Sequence, residues 1–74
     1  MNEELARKVR EAFEDALPYL ARPAEVKEIV INMAERAESV GELINTLDEK
    51  ASEVEDRLLK TDLKIVINTI EKLV

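Results

Sequence analysis

Ala37-Glu38-Ser39-Val40-Gly41-Glu42-Leu43, AESVGEL, lies near the middle of the 74-residue chain and holds its only glycine. On either side runs an unusually regular apolar register. Val26, Val30, Met33, Ala37, Val40, Ile44, Leu47, Ala51, Val54 and Leu58 alternate by four and three with no polar member. Taken alone, that spacing describes one long helix. AESVGEL argues for a stop. Ser39 followed by Glu42 has capping-box spacing, in which the hydroxyl accepts from a backbone N–H and the carboxylate reaches back.

Size favours the stop. A helix from Pro23 to Leu59 would span roughly 55 Å at about 1.5 Å per residue. The shorter helices at either end could each cover only half of it, leaving open hairpins that need a second chain. A break at Ser39–Gly41 lets four short helices close on themselves. The expected fold is therefore all-α: a single domain over residues 1–74, built as a small antiparallel bundle of four short helices at approximately 2–17, 23–38, 40–59 and 62–74. The alternative is three helices with a long central one over 23–59.

Outward from the centre, Lys60-Thr61-Asp62 reads as the last connection, with Thr61 or Asp62 as a cap. Leu63, Val66, Ile67, Ile70, Leu73 and Val74 then form the final stripe. Toward the N-terminus, Leu5, Val9, Ala12, Phe13, Ala16 and Leu17 make the first. Pro18 cannot continue that helix without losing a hydrogen bond, so LPYLARP is the first connection. Pro23 suits the first position of the next helix. Tyr19 and Leu20 are expected to fold back over the bundle end. Glu3 with Arg7, Glu4 with Lys8 and Arg10 with Glu14 are helix-surface pairs, each contributing about 0.2–0.5 kcal/mol.

IVIN occurs twice, at Ile29 and at Ile65. Each residue turns a helix by about 100°. In the first copy the stripe of Val26, Met33 and Ala37 leaves Ile31 on the polar side. In the second, the stripe of Leu63, Ile70 and Val74 leaves Ile65 outside. The copies differ by roughly one residue's rotation, so this is a restricted alphabet rather than a duplication. Ile31 and Ile65 become the two candidate interface residues, either for a homodimer seam or for another protein.

Composition removes most chemistry. The chain has no cysteine, histidine, tryptophan or glutamine, and its only aromatics are Phe13 and Tyr19. Disulfides, thiolate chemistry, Cys-type zinc sites and the commonest general base are excluded. The net charge of -6 opposes nucleic acid and anionic membrane surfaces as partners. Arg7, Lys8, Arg10 and Arg22 form a small basic spot, diluted by neighbouring acids. No apolar leader or membrane-length run is present, so a soluble cytoplasmic protein is expected.

Ser39, Ser52, the threonines, Tyr19 and the lysines lack an evident activating base. The acidic clusters Asp48-Glu49 with Glu53, and Glu53-Glu55-Asp56, read as solvated faces rather than a cation loop. No catalytic residue, cofactor or metal is expected. LINTLDEKA has the leucine-then-acid character of a helix that docks into a groove, but the same face is needed for the chain's own core. ESVGELINTLDEK resembles the helix start of acyl carrier proteins, where an Asp-Ser-Leu serine carries the prosthetic arm. The resemblance covers about a dozen residues, puts Glu38 in place of that aspartate, and implies Ser39 as the attachment site.

The expected function is thus a non-catalytic structural or protein-interaction bundle. The residue set suits a computationally designed protein as well as a heat-adapted natural one. The alternative is a small acidic carrier or ligand-binding bundle, with Ser39 modified or an apolar cavity beside Phe13 and Tyr19. Leu47→Ala and Val54→Ala should both destabilise, whereas Ile31→Asp should not unless it sits in an interface. Urea denaturation checks this: a Leu47→Ala chain as stable as the parent contradicts the register.

Overall fold

The computed structural model describes residues 3–73, so the proposed start at Asn2 and the stripe position Val74 lie outside the described residues. Four helices follow one another: α1 Glu3–Ala16, α2 Pro23–Arg36, α3 Val40–Glu53 and α4 Arg57–Leu73. A single 3-10 turn, Leu17–Tyr19, closes α1. The longest dimension is 31 Å, so the chain has no room for an unbroken helix over 23–59. The four-helix expectation holds.

Ser39 makes the central break. Its backbone is extended and its Oγ accepts from the Glu42 N–H at 3.1 Å. The Glu42 carboxylate in turn accepts from the Glu38 N–H at 3.3 Å, one residue earlier than in the reciprocal box. Gly41, by contrast, is not what stops the helix. It lies inside α3 without a positive φ, and an added Cβ would meet nothing closer than Ser39 Oγ at 4.0 Å.

The second break falls elsewhere than expected. α3 ends at Glu53, and α4 runs straight through Lys60-Thr61-Asp62. The turn is Val54-Glu55-Asp56, and the cap of α4 is Asp56, whose Oδ1 accepts from Leu58 N–H at 2.9 Å and Leu59 N–H at 3.3 Å. No glycine or proline marks this turn, so only the carboxylate at the helix start identifies it. Each break also resets the helical phase. The core of α3 is Leu43, Leu47 and Ala51, while Val40, Ile44 and Val54 are only half-buried. In α2, Ala34 joins Val26 and Val30 and displaces Met33 to the edge. Leu59 enters the core in place of Leu58, which is exposed.

α4 is the centre of the fold. It packs along α1 and α3 and also touches α2, burying Leu59, Leu63, Val66, Ile67 and Ile70. Its one buried polar side chain, Asp62, is 2% exposed and serves as a clamp rather than a cap of its own helix. Asp62 Oδ1 accepts from the Ala21 N–H at 2.9 Å, and Oδ2 accepts from the Arg22 N–H at 2.6 Å. Arg22 precedes Pro23, the first residue of α2. The carboxylate therefore sits at the positive end of the α2 dipole, although it belongs to another helix.

The Arg22 side chain returns the contact. Its Nε lies 2.8 Å from Asp56 Oδ2. The N–H is misdirected for a hydrogen bond, so the contact is an ion pair. The ends of α1 and α3 and the starts of α2 and α4 thus meet at one pole. At the other pole, Ser39 and Val40 lie beside Glu4, Leu5 and Lys8 near the start of α1. α1 and α2 accordingly run antiparallel. Of the three expected surface pairs only Glu4–Lys8 forms, at 3.5 Å; among the described residues the other two do not.

Cap and glycine can be separated by mutation. Ser39→Ala should cost about 1 kcal/mol, whereas Gly41→Ala should be neutral or gain up to about 1 kcal/mol. Both are read from urea midpoints. Asp62→Ala should cost about 2–4 kcal/mol by leaving two N–H groups without their acceptor, while exposed Thr61→Ala changes stability by less than about 0.5 kcal/mol. An Asp62→Ala chain as stable as Thr61→Ala would show that the clamp contributes nothing.

Candidate functional site: the α1–α2 groove

The four helices do not close equally. α1 and α3 are drawn tightly to α4, while α1 and α2 touch each other sparingly. Small residues line that seam: Ala6 on α1 and Ala34 on α2 place little bulk between the backbones. The outcome is an open groove of about 450 Å³. Val9 and Val30 form its floor, and Phe13, Leu17 and Ile31 its walls. Leu17 and Ile31 are each 43% exposed, which is high for large aliphatic residues that line one groove. Four charged residues rim the groove: Arg10 and Glu14 on α1, Lys27 and Glu35 on α2.

The helical pattern explains this in part. Phe13 and Leu17 belong to the α1 stripe, but that stripe is wider than α4 can cover, so its flank is left facing α2. Ile31 lies one residue past Val30, roughly 100° round the helix. It is therefore off the core face, as its phase predicts, yet on the groove side.

The other candidates fare differently. Ile65 is half-buried against the core and does not line the groove with Ile31. Its helical phase predicts a position outside the stripe, but α4 is packed on three sides and has a wider apolar face than an edge helix. Leu20 packs back on the core as expected, whereas Tyr19 points away and is 74% exposed. The apolar space is thus beside Phe13 and not beside Tyr19.

Ser39 is exposed at the start of α3, with its Oγ accepting the Glu42 N–H. The Thr46, Ser52 and Thr69 hydroxyls donate to helical carbonyls four residues back, at 2.8, 3.1 and 2.9 Å. None of these contacts involves a side-chain base. Among the described residues, no three acidic side chains converge on a position that could hold a metal ion. Nor is any helix long and apolar enough to cross a membrane.

Residues 6–74 match the model of the MJ1579 family, and the chain belongs to that family. No curated protein and no solved structure matches it.

Proposed function

We propose that the chain is a non-catalytic interaction module that receives an apolar helix surface in the α1–α2 groove. The supporting observation is the groove itself, where Phe13, Leu17 and Ile31 line an open channel with charges at its rim. A trough of this kind between two helices suits an amphipathic partner, with the apolar walls giving affinity and the rim giving orientation. Contiguous exposed apolar surface is costly to keep in water without a use. Family membership favours a natural adaptor-like domain over a designed bundle.

The carrier reading keeps one observation: Ser39 is exposed at a helix start, the location that the resemblance to acyl carrier proteins implies. Its Oγ already serves as the cap of α3, and modification would have to coexist with that bond. Intact mass after cellular expression decides this reading, since a phosphopantetheine arm attached to Ser39 is too heavy to miss.

The interaction reading is tested by placing the photo-crosslinker benzoylphenylalanine at position 31, with position 61 as an exposed control outside the groove, in cells that make the protein naturally. Position 31 should give protein adducts of discrete mass that position 61 does not. Equal or absent crosslinking at both positions rejects the groove as a docking site.

A further inference from the structure

We propose that the partner covering the groove is a second copy of this chain, so that the two form a two-fold symmetric dimer through their α1–α2 faces. This rests on the interaction reading above and names its partner.

Charge carries the argument. A second copy brings the same net charge of -6, so two chains repel each other at most approaches. The groove carries no part of that excess. Its rim holds two cations, Arg10 and Lys27, and two anions, Glu14 and Glu35. The rim is therefore neutral, and the excess acid lies outside it. All four side chains are exposed, and among the described residues none takes part in an intrachain ion pair. They remain available to a partner.

The arrangement of the rim is as telling as its sum. α1 and α2 run antiparallel, so Glu14 and Lys27 lie toward the pole that holds Asp62. Arg10 and Glu35 lie toward the opposite pole. Going round the groove, the signs read minus, plus, minus, plus. A two-fold axis lying along the groove sets Glu14 against the partner's Lys27 and Arg10 against the partner's Glu35. An axis lying across the groove sets Glu14 against the partner's Arg10 and Lys27 against the partner's Glu35. Either way every charge meets its opposite, which is the self-complementarity an isologous interface requires. An anionic lipid surface or nucleic acid would find no such match.

The size is adequate. A specific interface buries at least about 600 Å² on each partner, roughly an eighth of the 4911 Å² that one chain exposes. Two adjacent 14-residue helices, each about 21 Å long, present a face of that order. At its centre, Phe13, Leu17 and Ile31 of each copy would be withdrawn from water.

Sedimentation equilibrium from about 5 μM to about 1 mM tests this on the full chain and two double variants. Arg10→Glu with Lys27→Glu makes the rim wholly acidic. Glu14→Lys with Glu35→Lys makes it wholly basic. Because each Glu→Lys change adds two charges, the basic variant carries -2 where the parent carries -6. Its long-range self-repulsion is therefore weaker, and only a rim clash can keep it apart. The positions are exposed, so far-ultraviolet circular dichroism should show each variant as helical as the parent. The parent should dimerise, each variant alone should be monomeric, and an equimolar mixture should recover a one-to-one dimer.

A parent that stays monomeric throughout overturns the proposal. So does a parent dimer whose basic variant still dimerises, or a mixture that fails to recover the dimer. A monomeric parent that still crosslinks at position 31 to a different protein loses self-association alone. One that does neither loses the interaction reading as well.

Discussion

The fold turns on one buried carboxylate. Asp62 is held within α4, yet its two oxygens accept the N–H groups of Ala21 and Arg22 in the connection ahead of α2. Ala21 and Arg22 lie between the 3-10 turn and α2, where their N–H groups have no helical carbonyl to receive them, so an acceptor from outside the segment fixes its course. Arg22 answers with an ion pair to Asp56, the cap of α4. The starts of α2 and α4 are thereby tied to each other by charged groups that a slip of either helix would separate. A buried charge is tolerable because both oxygens are satisfied and lie at a helix N-terminus. Apolar packing alone would tolerate several helix orientations; this contact selects one.

The groove follows from where that tie sits. α2 is fixed at its first residue and packs less closely along its length than α1 or α3 packs on α4. Small residues at the α1–α2 seam leave space that no side chain among the described residues fills. Phe13, Leu17 and Ile31 are then left half in water, and among the described residues the rim charges have no ion-pair partner. In a chain this short, with a core built largely of Leu, Val, Ile and Ala, covering that face would add apolar burial that the monomer lacks. The proposed dimer through this face would offset that deficit.

The side-chain hydroxyls are engaged by the helices themselves. Thr46, Ser52 and Thr69 donate back to their own helices, and Ser39 accepts the N–H that starts α3. These are roles in helix capping and helix surface.

From the sequence alone came the helical class, the four helices, the cap at Ser39, the stop at Pro18, and the off-core phase of Ile31. These depend on interactions within a few residues: periodicity, capping and the missing N–H of proline. The second break escaped because Val54-Glu55-Asp56 carries no glycine or proline and the apolar register continues across it. The core phases of α2 and α3 escaped as well, because a heptad written across two breaks does not say which face turns inward after each. Tertiary structure alone decided that Asp62 clamps a distant connection, that Ile65 packs against the core, and that Ile31 lines one groove with Phe13 and Leu17. The reason is physical. Those outcomes depend on which helices become neighbours, and neighbours are chosen by packing and charge between segments forty residues apart, which no local pattern encodes.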